Sequence, residues 1–321
     1  MDDQPLVSIV VPVYNHERYV GATLRSLMAQ TYRNLELVVV DDGSRDNSVD
    51  VIDELAADCR HRFKRYIQIE QPNLGASVAS NRGIDAAHGD FLFSIASDDV
   101  AEPDAIETLM PEMLRDPQVG LACGDADFID ADGAPIQMTG RDGRRFSSFV
   151  RFYIDAKTDF DLAADFGTYR SFIDYNYIPI GLLIRRSYFS QIGCFDPTFA
   201  LEDWAAWLSL SKICRFKFVD RVLGHYRFHG ENSVTRAQAR HRADLVRLML
   251  REAPYCHAHG LEGQWQRFAE RSFERYRKYC EDEIDRLRKL LEETQRPAAQ
   301  AAAAANSTPP ARIEPAGRRG E

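Results

Sequence analysis

Three apolar segments in the first hundred residues each end abruptly in polar residues. VSIVVPVYN begins at Val7, LELVVVDDGS begins at Leu35 and FLFSIASDDV begins at Phe91. Segments of this length that are rich in Val and Ile predict buried strands of a parallel sheet. Since open parallel sheets bind ligands beyond the carboxyl ends of their strands, the polar residues are predicted to line one ligand site.

Strand-like and helical patterns alternate up to about residue 130. The predicted strands are residues 7–13, 35–41, 65–70, 90–96 and 119–128. The predicted helices lie near residues 16–29, 46–57, 76–87 and 103–115. This alternation predicts right-handed βαβ units, and therefore an α/β fold with a mixed, mostly parallel sheet flanked by helices.

The next hundred residues are less regular. TGRDGRR, from Thr139, is predicted to be a mobile loop, while IPIGLLI, FKFV and VLGHYRF are strand-like and a helix is expected over 203–212. We expect residues 131–235 to complete the domain that begins at residue 1.

The C-terminal quarter has a different character. Residues 236–296 are densely charged and predicted to be helical, as a C-terminal extension of the domain. Apolar residues recur every three or four positions, at Phe273, Tyr276, Cys280, Ile284, Leu287 and Leu291. This face predicts packing on the domain or against a second copy, giving a homodimer through these helices. Residues 297–321, with an Ala run and Pro pairs, are predicted to be disordered.

Composition excludes several classes of partner. The net charge of −9 gives the protein no general affinity for nucleic acid. No stretch of 18 apolar residues predicts a membrane span, and MDDQPL lacks the features of a signal peptide. The six cysteines have no metal or redox spacing, so we expect reduced thiols in a cytoplasmic protein.

The predicted rim of the sheet is acidic. Asp41, Asp42, Asp98 and Asp99 all follow strands. An acidic pocket in an acidic protein binds an anion only through a cation, so we infer Mg²⁺ or Mn²⁺ with a phosphate on its far side. A simpler alternative is that Asp98 or Asp99 caps the following helix, and that Gly43 and Ser44 form a turn into the next one.

Six segments in this order resemble the family 2 glycosyltransferases: VSIVVPVYN, VVVDDGS, NLGASVASNRG, ASDD, ALEDW and YRFHGENS. The resemblance covers residues 6–235 and implies the GT-A fold. It also implies inverting transfer of a sugar from a nucleoside diphosphate, here UDP, to a glycan or lipid-linked glycan of a bacterial-type surface polysaccharide. Residues 1–130 would bind the donor and residues 131–235 the acceptor. The location would be cytoplasmic, including the inner face of the membrane as a peripheral protein.

The resemblance also implies roles for individual residues. The donor would contact Pro12, Tyr14, Asn15, Asp41, Asp42, Asn73, Gly75, Asn81, Arg82 and Asp98. Asp41 would accept a hydrogen bond from the uracil imide, whose N–H only donates. Arg82 would supply a cation, since the family's usual Arg position holds Ser80.

For the metal, the resemblance implies Asp99 as the main ligand, with Asp98 and His229. The family's additional Asp is replaced by Ala96.

The Glu-Asp pair of ALEDW would supply the catalytic groups. Asp203 would be the general base on the acceptor hydroxyl, and Glu202 would bind the acceptor or hold a neighbour. The alternative is that both acids only favour the start of a helix. Two other functions compete: a sugar-nucleotide nucleotidyltransferase, which would need a Gly-rich loop after the first strand, and a non-catalytic sugar-binding relative, which would lack these acids.

Overall fold

The computed structural model describes residues 4–140, 142–155, 160–173, 175–230, 232 and 238–306, with side chains described as far as residue 289. The predictions for residues 307–321 and for the side chain of Leu291 lie outside the described residues. Among the described residues, no helix combines the length and the apolar character needed to cross a membrane.

One large sheet organises the chain. Its strands are β1 (Val7–Val13), β2 (Leu35–Asp41), β3 (Arg65–Glu70), β4 (Phe91–Ser94), β5 (Val100–Ala101), β6 (Val119–Ile129), β7 (Pro135–Ile136), β10 (Leu182–Arg185) and β11 (Arg215–Arg227). The order across the sheet is β3-β2-β1-β4-β10-β6-β11-β5, with β7 paired to β6. The pairs among β1 to β4 and the β6–β11 pair are parallel, while β10 is antiparallel to both neighbours. The predicted mixed, mostly parallel α/β fold is confirmed.

The helices of the first half connect parallel strands as predicted. They are α1 (Val20–Met28), α2 (Ser48–Arg62), α3 (Ala76–Ala86) and α4 (Ala105–Arg115). Side chains of β1 alternate between the two faces of the sheet: Ile9 and Val11 join one core and Val10 the other. Because its side chains face two cores, every residue of β1 except Ser8 is apolar.

The second half differs from the predictions in detail. FKFV and VLGHYRF belong to one strand, β11, because bulges absorb the polar residues between them. Part of the predicted mobile loop forms a hairpin of β8 (Met138–Thr139) and β9 (Arg145–Phe146). The remaining helices are α5 (Phe149–Ile154), α6 (Leu162–Asp165), α7 (Tyr169–Phe172), α8 (Arg186–Gln191) and α9 (Glu202–Leu210).

Two long helices follow, α10 (Gln238–Ala258) and α11 (Glu262–Asn306). α11 extends ten residues into the segment predicted to be disordered. Residues 298–305 are seven Ala and one Gln, which have high helix propensity, and that propensity outweighs the lack of core-forming side chains.

α10 is built into the core of the preceding residues. Leu248 is fully buried, and the buried carboxylate of Glu252 pairs with Lys212 at 2.6 Å and accepts a hydrogen bond from the Tyr169 hydroxyl at 2.8 Å. A buried carboxylate is tolerated only with such partners, so these contacts fix α10 on the domain.

We predict that two substitutions within one turn of α10 differ in their effect on stability, because one side chain is buried in the core and the other is exposed. Leu248→Ala should lower the free energy of unfolding by about 2–5 kcal/mol, because it opens a cavity. Leu250→Ala, whose side chain is 61% exposed, is the matched control and should change it by less than about 0.5 kcal/mol. Urea unfolding of the full chain measures both, and equal effects would place α10 outside the core.

Candidate active site

The loops that follow β1 and β2 are joined by hydrogen bonds. Asn15 adopts a left-handed backbone conformation with φ 54°. Its side-chain Oδ1 accepts from the Arg45 N–H at 2.8 Å, and its own N–H donates to Ser44 Oγ at 2.9 Å. Pro12 is half-buried at the end of β1 and Tyr14 is 36% exposed. The carboxyl ends of the two strands therefore form one rigid rim with Tyr14 open to a ligand.

Asp41 has one carboxylate oxygen that lacks a partner. Its Oδ2 accepts from the N–H groups of Gly43 and Ser44 at 3.0 and 2.9 Å. Its Oδ1 is buried and has no hydrogen-bond donor among the described residues. A buried oxygen without a donor is costly, so this position fits a ligand N–H group.

Asp42 organises the loop that leads into α3. Its two oxygens accept from Gln71 Nε2 and from the N–H groups of Leu74 and Gly75, at 2.7–2.8 Å. Gly75 has φ +97°, a conformation that other residues rarely adopt. With these three hydrogen bonds Asp42 positions the loop, and its contact with a donor stays a prediction.

The three predicted polar residues near α3 separate into two groups. The Asn81 amide is fully engaged with the backbone of Phe195, donating to its carbonyl at 2.8 Å and accepting from its N–H at 3.0 Å. Asn81 thus links α3 to the second half of the domain. Asn73 and Arg82 are both exposed, and Arg82 donates to Gln71 Oε1 at 3.2 Å. Asn73 and Arg82 remain available at the edge of the site.

Two histidines and one aspartate converge beyond the ends of β1, β4 and β11. His229 Nε2 lies 3.0 Å from Asp98 Oδ2, and His16 Nε2 lies 3.9 Å from the same oxygen. One ligand atom of each residue lies within 4.8 Å of the others. Such a cluster of imidazole and carboxylate groups can hold a divalent metal.

Surrounding residues hold these ligands in place. The Tyr19 ring stacks on His229 with ring centroids 4.7 Å apart, and Ser97 Oγ lies 2.7 Å from His16 Nδ1. The Asn232 side chain accepts from the His229 N–H at 2.7 Å and donates to the Arg227 carbonyl at 3.0 Å. Partners of this kind fix the orientation of metal-binding imidazoles.

Asp99, predicted as the main ligand, lies outside this group. Its Oδ1 accepts from the Arg227 N–H at 2.9 Å, and its carbonyl accepts from the Thr23 hydroxyl at 2.7 Å. Burial, together with the charge of Asp98, raises the pKa of Asp99 well above its ordinary value. In the structure, the Asp99 side chain, directly before β5, is hydrogen-bonded to the end of β11, and Asp99 is not one of the three residues of the metal group.

The chemistry of the group discriminates between the two predicted metals. Mg²⁺ prefers oxygen ligands and water, whereas Mn²⁺ accepts imidazole nitrogen more readily. One carboxylate with two imidazoles therefore fits Mn²⁺ better than Mg²⁺. His16 was not predicted as a ligand, although its place directly after the first apolar strand and Asn15 was a usable signal.

The predicted catalytic acids begin α9. Asp203 Oδ2 accepts from Asn176 Nδ2 at 2.6 Å, and Oδ1 accepts from the Trp204 N–H at 2.6 Å. Burial raises the pKa of Asp203, and these hydrogen bonds oppose the shift. Burial and the adjacent Asp203 raise the pKa of Glu202 to about 8. The hydrogen bonds favour ionisation of Asp203 first, which leaves the proton on Glu202 near neutral pH.

Tyr226, on β11, is affected by charges of both the metal group and these acids. Burial raises the pKa of its hydroxyl, and the charges of Asp99, Asp98 and Asp203 raise it further. Asp98 of the metal group and Asp203 of the acid pair therefore both act electrostatically on the Tyr226 hydroxyl. Burial and Asp203 likewise raise the pKa of Tyr153 on α5.

Helix α10 holds the segment that leads into α9. Asp244 Oδ2 accepts from the Ala200 N–H at 2.5 Å. Arg247 donates to the Thr198 carbonyl at 2.6 Å, and Arg251 donates to the Ala205 carbonyl at 2.9 Å. The predicted helical extension thus positions Glu202 and Asp203. No local pattern in the sequence indicates this role of α10.

Comparisons with known proteins identify the family of the chain. The family model described as "Glycosyl transferase family 2" matches residues 8–178. An uncharacterized glycosyltransferase of Haemophilus influenzae is 35% identical over 136 residues, which are 42% of this chain and 53% of that protein. The chondroitin synthase of Pasteurella multocida is 27% identical over 229 residues, covering 71% of this chain and 21% of that protein. The chain thus spans only part of the curated relatives it matches.

Two solved structures share the fold. Staphylococcus aureus TarS 1-349 in complex with UDP-GlcNAc matches with a TM-score of 0.56 and 16% identity, covering 76% of this chain and 65% of that one. The mannosyltransferase PcManGT of Pyrobaculum calidifontis, in complex with GDP-Man and Mn²⁺, matches with a TM-score of 0.53 and 19% identity, covering 77% and 65%. At these identities the likeness concerns the fold, and the GT-A type sheet with flanking helices is confirmed.

We predict that Mn²⁺ binding depends on His16 as well as on Asp98. Asp98→Asn should abolish binding, and His16→Ala should weaken it by about tenfold or more, because each removes a ligand. His225→Ala is the control, since His225 lies on β11 but pairs with Glu102 at 2.8 Å. Titrations followed by electron paramagnetic resonance of free Mn²⁺ measure all three. Unchanged binding in His16→Ala would exclude His16 from the site.

We also predict that Glu202 makes stability depend on pH. The protonated form is favoured in the folded state, so stability is greatest below the ordinary pKa of 4.5 and falls as pH rises towards 8. Glu202→Gln should therefore stabilise the protein at pH 9 by at least about 1 kcal/mol, and much less at pH 5. The exposed Glu54→Gln has the same charge change and should show no such trend. Thermal melts of the parent and both variants at the two pH values measure these stability differences. A stabilisation by Glu202→Gln that is the same at pH 5 and pH 9 would contradict the raised pKa of Glu202.

Proposed function

Because the chain belongs to glycosyl transferase family 2, we propose that it is an inverting glycosyltransferase. It moves a sugar from a nucleoside-diphosphate donor to a hydroxyl group of an acceptor. The observation that supports this most directly is that the domain holds two chemically different groups, each with a member that acts electrostatically on the Tyr226 hydroxyl. One group, His16, Asp98 and His229, suits a metal, and the other, Glu202 and Asp203, suits proton transfer. A sugar between them would have its leaving group on one side and its acceptor on the other.

The donor base is proposed to bind at the rim formed by β1 and β2. The unpartnered Oδ1 of Asp41 is suited to the imide N–H of uracil, and the exposed Tyr14 is suited to stacking on the base. This position suits a base with a ring N–H donor, and among such nucleotides we propose UDP. Pro12 and Asn15 would shape this rim, and Asn73, Gly75 and Arg82 would border the ribose and diphosphate.

The metal is proposed to be held by Asp98, His229 and His16. When bound, it would supply positive charge that stabilises the departing diphosphate. Asp99 would keep the end of β11 in place. Arg227 would support Asp98 by donating a hydrogen bond to its carbonyl at 2.7 Å.

Asp203 is proposed to be the general base. The acceptor oxygen attacks the anomeric carbon from the face opposite the diphosphate, and its proton passes to an Asp203 oxygen as the new bond forms. The bond from carbon to the diphosphate oxygen breaks in the same step, which inverts the configuration. Asn176 would hold Asp203 for this transfer. Glu202, with its proton retained, would donate a hydrogen bond to the acceptor.

The acceptor is proposed to be a glycan or lipid-linked glycan in polysaccharide synthesis. Relatives named chondroitin synthase and hyaluronan synthase support this class. We place the reaction in the cytoplasm, at the inner face of the membrane when the acceptor is lipid-linked. We assign donor binding to residues 1–130 and acceptor binding to 131–235, with α10 as a structural part of the acceptor half.

Two other functions are disfavoured by specific residues. A nucleotidyltransferase would need a Gly-rich loop after β1, where VPVYNHERY has no Gly. A non-catalytic sugar-binding protein would have no need of a buried carboxylate pair held by Asn176 and α10.

We predict that Asp203→Asn lowers turnover by about 10²–10⁴-fold while donor affinity changes little, because the base acts only on the acceptor. Release of UDP from a panel of UDP-sugars, with and without glycan acceptors and Mn²⁺, provides the assay. Asp220→Asn is the control, since Asp220 is exposed and pairs with Arg151 on the surface. Equal loss of donor binding in Asp203→Asn would indicate a structural role, and absence of release with every donor in the parent would refute the proposed activity.

A further inference from the structure

Helix α11 presents a regular apolar stripe to solvent. It consists of Phe273, Tyr276, Cys280, Ile284 and Leu287, here called the α11 stripe. Four of these side chains are 40–53% exposed, and Cys280 is partly exposed. Exposed apolar residues that are continuous along a helix mark an interaction surface.

The contacts of α11 with its own chain cover only its first part. The Arg242 side chain of α10 donates to the Arg275 carbonyl at 3.4 Å and lies over the Tyr279 ring. From Glu281 to Lys289, the described side-chain hydrogen bonds all stay within α11. The helix continues to Asn306, so about 40 Å of it extends past Tyr279. A solvated helix gains most of its stability from packing an apolar face.

The α11 stripe is symmetric about Cys280. Phe273 and Leu287 each lie seven residues from Cys280, and Tyr276 and Ile284 each lie four residues from it. If a second copy pairs antiparallel with its Cys280 at the same level, Phe273 lies opposite Leu287 of the partner subunit. Tyr276 then lies opposite Ile284 of the partner subunit. Every apolar residue of the stripe meets an apolar residue.

The charges beside the stripe are complementary in the same pairing. At about 100° per residue, Glu270, Arg277, Glu281 and Arg288 all lie on one flank, about 60–100° from Cys280. A two-fold axis through the Cys280 pair places this flank against the same flank of the partner. Arg277 then lies within about 3 Å along the axis of Glu281 of the partner subunit, and Glu270 equally near Arg288 of the partner subunit. Each contact occurs twice by symmetry.

We propose that this protein forms an antiparallel homodimer through α11, with Cys280 at the two-fold axis. The occupant of the stripe is a second copy because both the apolar positions and the flanking charges are self-complementary about the same residue. The dimer does not depend on the proposed transferase activity, and its test uses no substrate.

The first experiment measures mass in solution by sedimentation equilibrium of the full chain. The parent should be dimeric, and Arg277→Glu should raise the dimer dissociation constant about tenfold or more, because two attractive contacts become repulsive. Glu281→Arg should act similarly, and the double variant should restore the parent value. Lys278→Glu is the control, since Lys278 lies about 160° from Cys280 and should leave the dimer unchanged. Circular dichroism checks that α11 remains helical.

The second experiment determines orientation. In a Cys280→Ser background, Phe273→Cys and Leu287→Cys variants with different tags are mixed and treated with a short thiol-specific cross-linker. Antiparallel pairing should give the mixed product of the two variants, whereas parallel pairing would give each variant cross-linked to itself and overturn the proposal. A monomeric parent would also overturn it, as would a dimer indifferent to Arg277→Glu. A monomer that binds anionic phospholipid vesicles through Leu287 would assign the stripe to the membrane surface instead.

Discussion

The arrangement of the site depends on one hydrogen bond between distant parts of the chain. The Arg227 N–H donates to Asp99, directly before β5, which holds the last residue of β11 beside the turn that carries Asp98. This contact brings His229 within 3.0 Å of Asp98. The Arg227 guanidinium reinforces the junction by donating to the carbonyls of Asp98 and Asp130 and covering the Tyr19 ring. The same buried contacts therefore hold the end of β11 and two residues of the metal group, Asp98 and His229.

The acids on α9 depend on a different kind of support. Two adjacent carboxyl groups in a buried position repel each other, and burial disfavours their charge. Two hydrogen-bond donors favour the ionised form of Asp203, while the pKa of Glu202 is raised so that it stays protonated. The two carboxyl groups therefore ionise at different pH values. The loop before them is fixed by Asp244 and Arg247, whose own helix is anchored by the buried Glu252 pairs. Stability of α10 and chemistry at α9 are thereby linked.

Much of the first half of the fold was predictable because β1, β2 and β4 are buried on both faces and mostly apolar. The places of Asp41 at the carboxyl end of β2 and of Asp98 beyond that of β4 were predictable because each follows an apolar segment. The roles of Asp42, Asn81 and Asp99 were not, since hydrogen bonds to Gly75, Phe195 and Arg227 depend on tertiary contacts. The proximity of His16 to Asp98 and His229 was also not predictable, because these residues are far apart in the sequence. The same holds for β10, which pairs antiparallel with two strands distant in the sequence.

The docking of α10 on the segment before α9 has a consequence for biosynthesis. Asp203 leaves the ribosome well before Asp244, Arg247 and Arg251, the residues that hold its loop. At about 5–20 residues per second, the interval between Asp203 and Arg251 is a few seconds. When Asp203 emerges, the nascent chain still lacks His229 of the metal group and the α10 residues that hold the loop before the two acids. The metal group and the support of both acids are therefore completed in the same late stretch of synthesis, between residues 203 and 251.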